Sequence, residues 1–96
     1  MDISISHSEL RAFAGQLNQW AQQMKSTRSS ILQRTQSLEQ HWTDAQYKIF
    51  VEAAKNHGAN LKLSIDQFEN MSRQLVIIAN DLERMQREMQ QRLRNM

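Results

Sequence analysis

Large apolar residues recur every seven positions through the first part of the chain. This row comprises Leu10, Leu17, Met24, Ile31 and Leu38. Phe13 and Trp20 lie between its members, so the apolar residues form one stripe along a helix. Ser6 to Glu9 has the form of a capping box, in which Ser6 accepts from the amide of Glu9 and the Glu9 carboxylate reaches back. We therefore predict a helix from about residue 7 to residue 40.

A second helix start follows almost at once. Thr43 and Gln46 have the spacing of another capping box, and Asp44 falls in the first turn, where its negative charge favours the helix dipole. The pattern therefore predicts a turn at about 41–43 and a second helix from about 44 to 94.

The second helix carries two rows with the same seven-residue spacing. One row is Tyr47, Ala54, Leu61, Phe68, Leu75, Leu82, Met89 and Met96. The other row is Phe50, His57, Ser64, Met71, Ile78 and Met85, ending at Arg92. Such repetition is typical of coiled-coil packing, so we expect both rows to face the first helix, with Met71 in the core. Gly58 weakens the helix locally, but the pattern resumes in phase at Leu61, which favours a continuous helix.

Two long helices joined by so short a connection must fold back antiparallel. The predicted fold is therefore an all-α helical hairpin, a single domain over 1–96. Because the second helix is the longer one, apolar residues toward its end have no helix of the same chain to cover them. The expected partner interface is Leu75, Ile78, Leu82, Met85, Met89 and Leu93.

An uncovered apolar stripe of this kind usually marks an interaction surface. We expect a homodimer or a heterodimer with a helical partner, assembled as a four-helix bundle. A frayed amphipathic tail is the alternative interpretation of the same residues.

Composition agrees with long helices and excludes several classes of protein. The 96 residues contain no proline, no cysteine and two glycines, so there is no disulfide framework, thiol nucleophile or cysteine-ligated metal. The longest strongly apolar run, 75–79, is far shorter than the roughly 18 residues of a membrane span. Residues 1–5 lack the features of a cleavable signal peptide.

Neither catalysis nor a metal or other cofactor is expected. His7, His41 and His57 share no spacing that would place two ligands on one helical face. A hairpin also offers no deep, water-excluding site, so we expect a protein that is not an enzyme. Nucleic-acid binding is a weak alternative, because acidic residues are interleaved with Lys48, Lys55 and Lys62 and no aromatic platform accompanies them.

The centre of the chain resembles a known family. Trp42-Thr43-Asp44 lies at the predicted turn, Leu38 precedes it, and Phe50 is an aromatic residue eight positions after the tryptophan. A hairpin of about a hundred residues with this turn resembles the Trp-x-Gly family of bacterial type VII secretion, the relatives of the early secretory antigenic target. Trp42 is open to two interpretations, a core contact or part of a recognition feature at the turn.

The resemblance implies a protein made in the cytoplasm and exported as a folded helical dimer, or a partner that escorts a larger secreted effector. The family's export signal, a tyrosine followed four residues later by Asp or Glu, is not found here, since Val51 follows Tyr47 at that distance. This favours the escort role, with any export occurring without a cleavable signal peptide. A coiled-coil adaptor or secretion chaperone of an unrelated system remains the alternative.

Overall fold

The computed structural model describes residues 6–42 and 44–96, which form two antiparallel α-helices. Helix α1 spans His7–Glu39 and helix α2 spans Ala45–Arg94. The predicted all-α hairpin is confirmed. The molecule measures 79 × 21 × 16 Å, and its radius of gyration of 22.0 Å greatly exceeds the about 12–13 Å of a compact domain of this length. It is a rod only two helices thick.

None of the described helices contains a stretch that is long and apolar enough to cross a membrane.

Both helices begin at a side-chain cap. Ser6 is extended, and its Oγ accepts from the backbone N–H of Glu9 at 3.2 Å, as predicted. The cap of α2 is Asp44, whose Oδ1 accepts from the N–H of Tyr47 at 3.2 Å. The helix thus begins one residue later than predicted. The expected cap, Thr43, lies outside the described residues, and Gln46 falls at the second helical position, too early for the capping box.

The later start has a physical reason. An aspartate caps a helix at least as well as a threonine, and its charge also faces the positive end of the helix dipole. Asp44 is the residue whose side chain accepts from a backbone N–H of the first turn.

One row of each helix faces the other helix as predicted, but the second row does not. Phe50, Met71, Ile78 and Met85 are exposed, so Met71 is not a core residue. The row of α2 that faces α1 is instead Val51, Gly58, Ile65, Ser72 and Ala79. In α1 the corresponding row is His7, Ala14, Ala21, Arg28 and Thr35, while Phe13 and Trp20 lie at the border of the contact and are exposed.

Small side chains explain this choice of rows. Ala14, Ala21 and Ala79 are buried between the helices, which can approach closely where side chains are short. The Ser72 hydroxyl donates to the carbonyl of Ala14 at 2.8 Å, a bond that requires such proximity.

Helix α2 continues through Gly58 without a break, as predicted. Gly58 is buried, and its carbonyl accepts from Nε of Arg28 at 3.2 Å. A Cβ built on Gly58 would meet nothing within 4 Å, and the same holds for the exposed Gly15 of α1.

Replacement of Gly58 by alanine should therefore stabilise the protein. Alanine keeps the carbonyl that Arg28 uses and removes the backbone entropy cost of glycine, a gain of about 0.5–1 kcal/mol. Chemical denaturation of Gly58→Ala at one fixed protein concentration measures the change, and Gly15→Ala is the matched control. If Gly15→Ala stabilised the protein while Gly58→Ala destabilised it, the contact between the helices would require a residue without a side chain at position 58.

Replacement of Asp44 by alanine should destabilise the hairpin by about 1 kcal/mol, because the N–H of Tyr47 loses its side-chain acceptor and keeps only the Asp44 carbonyl. Asp44→Asn keeps an oxygen at the same place and should retain most of the stability. Equal denaturation midpoints for the alanine variant and the parent protein would show that Asp44 is not the cap.

Candidate protein-interaction surface

The two edges of the helix contact differ in chemistry. One edge, which we call the ion-paired edge, contains Arg11 and Lys25 of α1 and Glu69 and Glu83 of α2. Arg11 forms a salt bridge with Glu83 and also donates to Oδ1 of Asn80 at 2.8 Å. Nζ of Lys25 lies 3.1 Å from Oε1 of Glu69. These polar groups join the helices and remain partly in contact with water.

The Glu83 carboxylate is perturbed by this arrangement. The hydrogen bond from Arg11 lowers its pKa below the ordinary 4.5, and the positive charge of Arg11 lowers it further. The group is therefore ionised over a wider pH range than an isolated glutamate.

The opposite edge, which we call the apolar edge, contains Phe13, Trp20, Met71, Ile78 and Met85. Phe13 is 51% exposed and Met71 is 45% exposed, although both are large apolar side chains. Phe13, Met71 and Ile78 line one open groove between the helices. The Trp20 ring leans on Phe68, with ring centroids 6.3 Å apart. The bottom of the groove is formed by residues of the helix contact, among them Leu17 and Leu75, and its open side faces solvent.

Helix geometry places these residues on one side. In an antiparallel pair of helices, the residues just before the Ala14 and Ala21 row of α1 lie on the same edge as those just before the Ser72 and Ala79 row of α2. The first set includes Phe13 and Trp20, and the second includes Met71 and Ile78. The apolar edge therefore combines two rows that are seven-residue repeats in the sequence. Sequence reasoning placed Phe13, Trp20 and Met71 in the intrachain contact, because periodicity alone does not define the rotation of a helix about its axis. It assigned Ile78 and Met85 to the partner interface as well as to that contact.

The predicted partner residues divide into three groups. Leu75 and Leu82 are half-buried in the row that faces α1. Ile78 and Met85 belong to the apolar edge. Met89 and Leu93 lie beyond it and are each 65% exposed.

The uncovered end of α2 begins beyond Gln86. Nδ1 of His7, the first residue of α1, lies 3.2 Å from Oε1 of Gln86, so α1 reaches that level. Residues 87–96 extend beyond it, a length of about 15 Å at the rise of an α-helix. Among the described residues, no part of α1 faces them.

An aromatic cluster occupies the other end of the rod. The Trp42 ring lies 5.7 Å from the centroids of both Tyr47 and Phe50. Trp42 and Tyr47 lie on either side of Asp44 in the sequence, and their rings contact each other across this cap. Partial burial raises the pKa of the Tyr47 phenol, and the neighbouring Glu39 carboxylate raises it further. Phe50 is on the same helical row as Met71 and Ile78, and Trp42 is half-buried against it.

The rod exposes more surface than a compact monomer of the same mass. Its accessible surface is 7948 Å². A compact monomer of the same mass, 11.3 kDa, exposes only about 5,700 Å². The excess of about 2,200 Å² is larger than the roughly 800 Å² that each partner buries in a standard protein–protein interface.

Comparison with known proteins finds no protein-family model, no curated protein and no solved structure that matches this chain.

The ion-paired edge should make stability depend on pH. Because the pKa of Glu83 is lower in the folded state, its contribution is present above the ordinary pKa of 4.5 and is lost as the pH falls through the folded value. Thermal denaturation between neutral and strongly acidic pH should show a loss of stability as the pH falls below the ordinary pKa of 4.5. Glu83→Gln should reduce this loss, and an unchanged pH profile would contradict the assignment.

Proposed function

We propose that this chain is a protein-interaction subunit, a helical hairpin that completes its core by packing the apolar edge against helices of another chain. The observation that carries the proposal is the row of large, exposed apolar side chains on this edge, where Phe13, Met71 and Ile78 line one open groove between the helices. Isolated exposed apolar residues are common on protein surfaces, but a contiguous row between two helices usually marks a binding site.

The partner that best fits this surface is itself helical. A groove between two helices accepts the apolar face of an amphipathic helix, whose residues recur with the same spacing as those of the apolar edge. Two further helices laid on this edge would complete a four-helix bundle. Such a role requires no catalytic group, metal or cofactor from the chain.

We further propose a type VII secretion role of the Trp-x-Gly kind, in which the chain escorts a larger secreted effector. The support is the resemblance in the sequence together with the aromatic turn, where Trp42 contacts both Tyr47 and Phe50. Association with a helical segment of the effector would cover the apolar edge during this escort. An adaptor or chaperone of another secretion system uses the same fold and is the second candidate.

Co-expression of the tagged chain with the products of neighbouring genes, followed by affinity capture, tests the interaction. Phe13→Glu should reduce recovery of a captured partner at least about tenfold, because it places a charge in the apolar edge. Ala12→Glu is the matched control, since Ala12 is exposed on the adjacent face of α1. Equal recovery with both variants would show that the partner binds elsewhere.

Secretion distinguishes the two candidate systems. Deletion of this chain should abolish export of the captured effector by a type VII apparatus, and expression of Ala12→Glu should restore it whereas Phe13→Glu should not. Export that persists without the chain would contradict the escort role while leaving the interaction itself intact.

A further inference from the structure

We infer that the partner helix covering the apolar edge carries acidic side chains at its end nearest the turn, where they pair with Arg34, His41 and His57. This inference rests on the proposed function, because it states the chemistry of the partner for the same surface. It is carried by the residues that continue the edge toward the turn, by the levels of the two helices and by the location of the carboxylates.

The apolar edge continues toward the turn as a polar and basic segment. On α1, the residues seven apart along this edge are Phe13, Trp20, Thr27, Arg34 and His41. On α2 they are Ile78, Met71, Ser64, His57 and Phe50. Both series change from large apolar side chains to one with a hydroxyl group and then to a nitrogen base. Arg34, His41 and His57 are exposed, and the first two line one shallow depression on α1.

Contacts across the helix pair place Arg34 and His57 at about the same level. Two contacts define the levels, that of Ala14 with Ser72 and that of Lys25 with Glu69. In an antiparallel pair, each step along α1 corresponds to an equal step backward along α2. Arg34 lies 20 residues after Ala14 and nine after Lys25, so it is level with about residues 52–60 of α2. Within that range, His57 is the residue on this edge.

No acidic residue of the described chain neutralises Arg34. The salt bridges within 6–42 and 44–96 use other cations, namely Arg11, Lys25 and Arg84. Glu39 belongs to the row of Lys25 on the ion-paired edge, and Glu52 directly follows the facing row on that same side. Asp44 is the cap of α2. The segment is therefore positive, which favours a carboxylate on the partner and repels a basic side chain.

The partner helix must combine two kinds of contact at a fixed spacing. Opposite Phe13 and Trp20 it needs apolar side chains one heptad apart. Arg34 lies two heptads beyond Trp20, about 21 Å along the helix axis. An acidic residue should therefore stand about 14 residues beyond the second apolar one. An exposed ion pair adds little affinity, but a charge at one end only makes the partner bind in one direction.

Charge reversal of Arg34 tests this inference on the partner that co-expression captures. Arg34→Glu should lower its recovery about fivefold, because a carboxylate would then face the partner's acidic residue. Lys48→Glu is the matched control, since it changes the net charge equally near the same end of the rod. Lys48 is exposed on the row of Glu69 and Glu83, at the ion-paired edge. Added salt should weaken capture by the parent chain but not by Arg34→Glu.

Zero-length cross-linking identifies the partner's carboxylate directly. Arg34→Lys keeps the positive charge and introduces an amine. A carbodiimide activates a carboxylate, and attack by the amine forms an amide and releases a urea. We expect a cross-link from position 34 to an Asp or Glu of the partner, located by mass spectrometry. Gln33→Lys, on the outer face of α1, should give none. Replacing the cross-linked acidic residue by lysine should restore capture by Arg34→Glu.

Equal recovery with Arg34→Glu and Lys48→Glu, or the absence of a cross-link from position 34, would overturn the inference. If capture still depended on Phe13, the proposed function would stand and only the acidic end of the partner would be excluded. A parent chain that captures no partner would overturn both. Circular dichroism reports whether each variant remains helical, and the cross-link of Arg34→Lys decides the question if Arg34→Glu does not.

Discussion

A pair of helices can hide only the strip of each helix that faces the other. The residues most completely removed from water are mainly small ones, among them Ala14, Ala21 and Ala79. Their close approach brings the two backbones together but buries little apolar area per residue. The larger side chains that would supply more burial lie beside the strip. The contact therefore holds the two helices in register and leaves large apolar side chains beside it exposed.

The two edges of the contact differ in charge. Arg11 and Lys25 reach across to Glu83 and Glu69 on one edge, where polar side chains span the gap between the helices. Partly exposed ion pairs contribute little stability, but they favour one rotation of the helices over others. That rotation turns Phe13, Met71 and Ile78 toward solvent. The same geometry that aligns the hairpin thus creates the surface we assign to its partner.

The two ends of the rod complement this picture in different ways. At the turn, the Asp44 cap and the Trp42 cluster fix where α2 begins and in which direction it runs. At the other end, Met89 and Leu93 continue the apolar pattern beyond the level that α1 reaches. A partner that runs along the apolar edge would meet these residues next, so the overhang would extend the surface that we propose for it.

The sequence by itself determined that the chain forms two long helices, where they turn, and that Ser6 begins the first, because periodicity and capping are local properties. It also placed Ile78 and Met85 among the expected partner residues, and both are exposed in the structure. It did not determine the rotation of each helix about its axis. Three neighbouring rows on each helix repeat every seven residues, and more than one pair of these rows could face the other helix. Hydrophobicity favoured the rows of Phe13 and Met71. Only the tertiary structure decided for the rows of Ala14 and Ala79, because backbone proximity and cross-helix ion pairs depend on both helices at once.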